Sequence, residues 1–247
     1  MRHLLQIHPK PTEGYIPRVF GWEHLTYLAI FFVLAIGTLI LIYYKVKSER
    51  DVQITVKCTG ACLLIAILAN RISLIEYYGT PMGIIPNTFC GTTSLIFALC
   101  AIFLKRDSLL LNFAVYAGFW GGIIVTFYPN FVVQDASFMY PPTVTGILHH
   151  SLSAYLAVVM LMTGFFKPNL KKFYVYPITL CVIMTYGIFL MDALKIEESM
   201  YIFAPVVPDT FLTWYVVGPM LILGNLGLVA LYEKIIVPRL RNKKQVT

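Results

Sequence analysis

The chain has 247 residues, of which 58% are hydrophobic and only 13% are charged, and its mean hydropathy is +0.75. A soluble domain carries about twice that share of charged residues, so the composition excludes an ordinary soluble protein. The net charge of +7 bears on membrane orientation, because the sequence contains no basic domain that could bind nucleic acid.

Apolar runs of about 20 residues recur along the chain and predict an all-α, polytopic membrane protein with seven transmembrane helices. The polar, proline-bearing start of the chain does not look like a secretory signal peptide. We therefore expect an extracytoplasmic tail at 1–21, a transmembrane domain at 22–234 and a basic cytoplasmic tail at 235–247. The predicted spans are 22–44, 54–77, 82–104, 109–128, 143–166, 174–194 and 211–233.

The basic residues indicate the orientation of these spans. Seven spans place the two termini on opposite sides of the membrane. Thirteen Lys and Arg residues lie in the loops after the first, third and fifth spans and in the tail, against four on the other side. The positive-inside rule then predicts a multi-pass protein of the cell membrane with its N-terminus outside and its C-terminus in the cytoplasm.

The few polar side chains within the spans are predicted to lie in the outer half of the membrane. Cys90 is eight residues below the outer end of the third span and His150 is seven below that of the fifth, or roughly 12 and 10 Å along a helix. Ionisable groups within a span are functional candidates. Other polar residues of the same leaflet are Asn70, Arg71, Glu76 and Asp192.

Two histidines are adjacent in the fifth span. Because neighbouring residues on a helix point about 100° apart, we expect at most one of His149 and His150 to face the helix bundle squarely. Steps of three and four from His150 reach small residues such as Gly146, Ser153 and Ala154, on which another helix can approach closely. The residues on the face of His149 are bulkier, so we predict that His150 is the histidine that faces the bundle.

A thiol and an imidazole at matching depth suggest a nucleophile and a general base. The imidazole of His150 can take the proton of Cys90, and the thiolate can then attack an acyl carbonyl. Pro86, four residues before Cys90, is expected to open the helix near the thiol because it lacks a backbone N–H. The residues predicted to bind the substrate or its oxyanion are Asn70, Arg71, Asn87, Thr88, His149 and Asp192.

Structural roles for the same residues stay open. A cysteine within a membrane span is usually a small packing residue, and a histidine is as often a structural hydrogen-bonding group as a functional one. Arg71 with Glu76 or Asp192 would make a structural ion pair. Cys58 and Cys62 share a helix face but lack a second pair of ligands, so we expect no metal and no cofactor.

Six short features of the chain resemble the YwaF family of bacterial integral membrane proteins and its mammalian relatives, the ether-phospholipid transmembrane acyltransferases. Around the cysteine the family has Leu-Pro-Leu-His-Leu-Cys and this chain has Ile-Pro-Asn-Thr-Phe-Cys, so Thr88 replaces the histidine. The features are the Pro86-to-Cys90 segment, Gly118 to Gly122, Tyr128-Pro129-Asn130, the His150 segment, Met200-Tyr201 with the prolines after it, and Trp214-Tyr215.

The resemblance implies acyl transfer between phospholipids, with an acyl thioester on Cys90 and His150 as general base. A membrane lipid would then be the substrate, and hydrolysis of its ester is the related reaction. The androgen-induced transmembrane hydrolases are similar in outline but use threonine with histidine, so Thr88 merits a variant of its own.

Two other classes of function remain open. A transporter or a small-molecule or lipid-binding protein would use Arg71, His150 and Asp192 to bind an anion or relay protons. Helix breaks at Gly118 to Gly122 or at Gly218-Pro219 would favour that class. In an accessory or assembly subunit, side chains alone would fill the pocket. The sequence does not indicate the oligomeric state.

Overall fold

A computed structural model describes residues 19–129, 132–133, 138–206 and 210–236 of the chain. This part of the chain contains seven α-helices and no strand, which confirms the all-α prediction. Short 3₁₀ helices at Pro81–Ile84 and Leu170–Lys172 precede the third and sixth α-helices, and a π-helix at Tyr232–Ile236 follows the seventh. The helices are α1 (Trp22–Lys45), α2 (Glu49–Tyr78), α3 (Phe89–Phe103), α4 (Leu111–Phe127), α5 (Pro141–Met162), α6 (Val175–Leu194) and α7 (Trp214–Leu231).

Five of the described helices, α1, α2, α5, α6 and α7, are long and apolar enough to cross a membrane. The other two, α3 and α4, are apolar but have only 15 and 17 residues. Large apolar side chains are exposed along the long helices, as a lipid environment requires. The orientation stays a prediction. Part of the charge count behind it, in tail residues 1–18 and 237–247, falls outside the described residues.

Helices α2, α3, α4 and α5 form the centre of the bundle, with α5 packed against both α2 and α4. Small residues allow the close approach of these helices. A Cβ atom on Gly60 of α2 would lie 2.6 Å from Ala101 Cβ of α3, and one on Gly122 of α4 would lie 2.6 Å from the backbone of Ala154 of α5. Helix α1 lies at the edge, with Leu28 and His24 as its buried residues.

The third helix begins later than the sequence predicts. The chain is a 3₁₀ helix at Pro81–Ile84 and is not helical at 85–88, so α3 starts at Phe89. Pro86 therefore precedes the helix instead of lying in its first turns, in keeping with the bias of proline and its preceding residue against the helix interior. The predicted depth of 12 Å for Cys90 does not hold, because it assumed a helical rise from Met82 onward.

The helix breaks proposed from glycine content are wrong. Helix α4 runs without interruption through Gly118 to Gly122, and α7 runs through Gly218-Pro219. The glycines of α4 serve packing instead. A Cβ atom on Gly118 would lie 2.3 Å from the Phe97 ring of α3 and 2.9 Å from Ser153 Oγ of α5.

Candidate functional site

A cavity of about 360 Å³ lies among α2, α3, α4, α5 and α7, next to the first turn of α3. Its volume is within the range of pockets that bind small molecules. Seven of the eight residues predicted from the sequence line it: Asn70, Arg71, Asn87, Thr88, Cys90, His149 and His150.

The eighth predicted residue, Asp192, is not part of the cavity. Its side chain is 89% exposed near the end of α6, and it lies 3.7 Å from Lys195 Nζ in an ion pair between neighbouring turns. Glu76 is also exposed. Neither carboxylate pairs with Arg71, so the predicted structural ion pair is wrong. Both acidic residues are exposed, and neither lines the cavity.

Cys90 occupies the second residue of α3, beside the start of the helix. Thr88 is the N-cap: its hydroxyl accepts the Gly91 N–H at 3.2 Å, and its carbonyl accepts the Thr92 N–H at 3.0 Å. The first backbone N–H groups of a helix, here those of Phe89 and Cys90, lack intrahelical acceptors. The thiol therefore lies next to backbone donors at a helix N-terminus.

A glycine of α4 lies beside the thiol. A Cβ atom on Gly121 would lie 3.6 Å from Cys90 Sγ, at ordinary van der Waals distance. The backbone of the same glycine lies beside the imidazole of His150. Gly121 therefore lies near both the thiol and the imidazole, and both groups border the cavity.

Both histidines of α5 are buried, at 3% and 4% exposure, and their ring centroids are 4.1 Å apart. Burial does not distinguish the two histidines, because α5 is packed against neighbours on more than one side, so the preference for His150 stays a prediction. His149 Nδ1 lies 3.3 Å from the Thr145 carbonyl. His149 Nε2 and His150 Nδ1 are buried and have no hydrogen-bond partner among the described residues.

Arg71 brings a buried positive charge to the cavity. The residue is 7% exposed, and its guanidinium lies against the first turn of α3, where a Cβ atom on Gly91 would be 2.8 Å from Nη2. Nη2 donates to Asn70 Oδ1 at 3.4 Å, and Nε has no partner in the described part of the chain. An uncompensated buried charge costs several kcal/mol, so this guanidinium calls for an anion.

Asn70 holds its position through α5. Its Nδ2 donates to the Pro142 carbonyl and to Thr145 Oγ1, each at 3.2 Å. These bonds orient Oδ1 of the same amide toward Arg71. The amide therefore joins α2 to α5 and orients the guanidinium, which is more than the sequence indicated for it.

The segment between α6 and α7 covers the cavity next to α3. The Asn87 carbonyl accepts the Met200 N–H at 2.9 Å and the Ser199 hydroxyl at 3.0 Å, and Trp214 Nε1 donates to the Met200 carbonyl. Met200 and Tyr201 both have positive φ, and this turn lets Tyr201 line the cavity. Burial raises the pKa of Tyr201, so its hydroxyl stays protonated at neutral pH and can donate.

Sequence reasoning missed the aromatic lining. Four of its residues fall in features that carried the family resemblance, which was the available signal, whereas Tyr78 and Tyr176 had none. The missed aromatic residues are Tyr78, Phe89, Trp120, Tyr176, Tyr201 and Trp214.

The cavity thus combines a thiol, two imidazoles, a guanidinium and backbone donors within an apolar bundle. These groups suit an acyl ester or an anionic ligand. The described residues hold no group of three or more His, Cys, Asp or Glu side chains that could bind a metal ion.

Comparisons with models of protein families, with characterised proteins and with solved structures find no match. The family resemblance therefore stays a prediction.

Proposed function

We propose that the chain is an integral membrane enzyme that cleaves or transfers the acyl ester of a lipid, with Cys90 as nucleophile and His150 as general base. The observation that carries the proposal is the convergence of Cys90, His150, His149 and Arg71 on one cavity, although they belong to three different helices. Packing roles alone would not require these four side chains to share a cavity.

In the first step, Cys90 Sγ attacks the carbonyl carbon of the lipid ester. The thiol proton passes to the imidazole of His150, the C–S bond forms, and the ester C–O bond breaks. The imidazolium then protonates the departing alkoxide, which leaves as an alcohol. Both groups border the cavity, so the bound substrate can bridge them during the proton transfer.

In the second step, a hydroxyl group attacks the acyl thioester on Cys90. His150 takes the hydroxyl proton, the C–S bond breaks, and the proton returns to the sulfur. A lipid hydroxyl as acceptor gives acyl transfer, whereas water gives hydrolysis. The buried position of both histidines favours transfer, because closed apolar surroundings exclude water.

Donors at the first turn of α3 support the charge that develops on the carbonyl oxygen. The backbone N–H groups of Phe89 and Cys90 have no intrahelical acceptors. Donors placed toward a developing oxyanion stabilise the transition state by about 3–4 kcal/mol each. Cys90 therefore lies among backbone hydrogen-bond donors, because it is in the first turn of α3 and the segment before it is not helical.

Thiol labelling with a long-chain alkyl maleimide tests the nucleophile. Cys90 should react faster than Cys100, the buried cysteine of α3, and His150→Ala should slow the labelling of Cys90 by about two orders of magnitude. His149→Ala serves as the matched control and should have a smaller effect. Equal labelling of Cys90 and Cys100 would count against an activated thiol.

Binding or transport of an anion without chemistry is the second candidate function. Two observations favour it: Arg71 is buried without a carboxylate partner in the described chain, and α3 starts beside it after a non-helical segment. Interrupted helices whose N-termini face anionic groups are typical of transporters. Lipid turnover that is lost in Cys90→Ser would favour the enzyme, whereas ligand binding without any turnover would favour this alternative.

A further inference from the structure

We propose that Tyr201 is a further catalytic residue, whose phenolic O–H donates a hydrogen bond to the carbonyl oxygen of the ester while Cys90 attacks the carbonyl carbon. The inference rests on the proposed function and adds to it a hydrogen-bond donor that the sequence did not indicate. Tyr201 belongs to the segment between α6 and α7, which covers the cavity next to the first turn of α3.

The backbone of the turn that carries Tyr201 is the first reason. Met200 and Tyr201 have φ angles of 58° and 57°, in the left-handed region that residues other than glycine rarely adopt. Such conformations persist only where the surrounding structure fixes them, and they are concentrated at active and binding sites. Two of them in succession, at a turn whose tyrosine lines the cavity, point to a role for that side chain.

The contacts that fix this turn are the second reason. Met200 is buried between α3 and α6: a Cβ atom on Gly187 would lie 2.6 Å from its Cγ, and Thr92 Oγ1 lies 3.9 Å from its Sδ. Its N–H donates to the Asn87 carbonyl at 2.9 Å, and its carbonyl accepts a hydrogen bond from Trp214 Nε1. The residue before the tyrosine is therefore held against α3 and the segment that leads into it.

The relation of the phenol to the thiol is the third reason. Tyr201 and Cys90 line the same cavity, and the turn that carries the tyrosine is bonded to Asn87, in the segment that leads to the cysteine. Burial raises the pKa of Tyr201, and the negative charge of a Cys90 thiolate adds to this rise. The phenol therefore keeps its proton at neutral pH and interacts electrostatically with the reacting sulfur.

The step that Tyr201 supports is the addition of the thiolate to the ester carbonyl. The C–S bond forms, the π electrons of the C=O bond move to the oxygen, and the phenol donates to this oxyanion while it keeps its own proton. When the oxyanion collapses, the C=O bond is restored and the ester C–O bond breaks. A donor placed toward charge that develops in the transition state raises kcat and changes KM little.

Acylation is measured on the full chain in a neutral detergent with 4-nitrophenyl decanoate, whose released nitrophenolate reports the reaction of Cys90. Tyr201→Phe keeps the ring and removes the hydroxyl. It should lower kcat by about 100- to 1,000-fold, the effect of removing one oxyanion donor, with KM and Tm close to those of the parent. Tyr186→Phe is the matched control, because it removes a half-buried hydroxyl of α6 outside the cavity lining, and it should react as the parent does.

A thiono analogue of the probe, with sulfur in place of the carbonyl oxygen, separates this role from support of the fold. Sulfur accepts hydrogen bonds weakly, so the ratio of the oxygen-ester rate to the thiono-ester rate should be about tenfold or more lower in Tyr201→Phe than in the parent.

Two results would overturn the role of Tyr201 alone: a variant with the kcat of the parent, or an equal loss of both rates. A parent whose nitrophenolate release is unchanged in Cys90→Ser would instead overturn the proposed function, and the role of Tyr201 would fall with it. The two failures are therefore distinguishable.

Discussion

Gly121 and Gly122 of α4 have different surroundings, so alanine variants at the two positions test helix packing and the candidate site separately. A Cβ atom on Gly122 would lie 2.6 Å from the Ala154 N and His150 O atoms, which are backbone and cannot rotate away. Gly122→Ala should therefore push α4 from α5 and destabilise the protein by about 1–3 kcal/mol, the cost of overpacking. A lower Tm in detergent would report this effect.

The matched variant is Gly121→Ala. Its Cβ would meet Cys90 Sγ at 3.6 Å, an ordinary contact, so the fold should tolerate it and gain up to about 1 kcal/mol from helix propensity. Labelling of the thiol should nevertheless change, because the added methyl group would contact Cys90 Sγ. Equal Tm values for the two alanine variants would contradict the close approach of α4 to α5.

Seven of the eight candidate residues could be found from the sequence because membrane spans contain few polar side chains, and those few stand out. The same reasoning wrongly placed Asp192 in the site, because the depth of a residue along a span does not show which side of the helix faces the bundle. Depth also could not show that His149 is buried beside His150, which depends on how many neighbours surround α5.

At the level of the elements, the start of α3 depends on its N-cap. Thr88 accepts the Gly91 N–H through its hydroxyl, so Thr88→Ala should cost about 1 kcal/mol of stability and Thr88→Ser should cost little. Lipid turnover should fall in Thr88→Ala only as far as the first turn of α3 is disturbed. A complete loss of turnover with an unchanged Tm would instead identify Thr88 as the nucleophile.

The segment between α6 and α7 is held by a carboxylate. Glu198 accepts backbone N–H groups from Ile202, Phe203 and Ala204, at 2.8, 3.3 and 3.0 Å. Glu198→Gln should weaken these charge-assisted bonds and increase amide hydrogen exchange at 202–204. The neighbouring Glu197 is exposed, so Glu197→Gln should leave the exchange unchanged. Identical exchange in the two variants would show that the carboxylate does not hold the segment.

The late start of α3 shows a limit of reading elements from composition. Residues 82–104 are mostly apolar and carry no charge, so hydropathy extends the helix to Met82. Pro86 was the local signal that the helix starts later, but a proline in the first turn of a helix is also acceptable. Tertiary contacts decide between these two starting points of the helix. The Asn87 carbonyl accepts hydrogen bonds from Ser199 and Met200, so the segment before α3 stays non-helical.

At the scale of the molecule, the all-helical fold and the five long apolar helices could be predicted, because the thickness of a bilayer sets the length of an apolar run. The cavity could not, since it depends on how α2 to α5 and α7 pack around a common space. The contact of α4 with α5 through small residues was partly visible in the stripe that runs from Gly146 to Ala154, and the structure confirms that another helix approaches there.

The orientation of the bundle is a prediction from its basic residues, and cysteine accessibility tests it. With every native cysteine replaced by serine, Lys195→Cys should react in intact cells with a membrane-impermeant maleimide, and Lys105→Cys should react only after the cells are opened. Both lysines are exposed at loops on opposite predicted sides. The reverse pattern would place the N-terminus and the cavity on the cytoplasmic side.

Intact-mass spectrometry of the purified protein after incubation with mixed phospholipids tests the proposed thioester most directly. An added acyl mass on Cys90, removed by hydroxylamine and absent from Cys90→Ser, is the predicted result, and the mass identifies the chain transferred. The adduct should also be lost in His150→Ala and kept in Cys100→Ser. No adduct together with no lipid turnover would contradict the enzyme and favour a protein that binds or transports an anion.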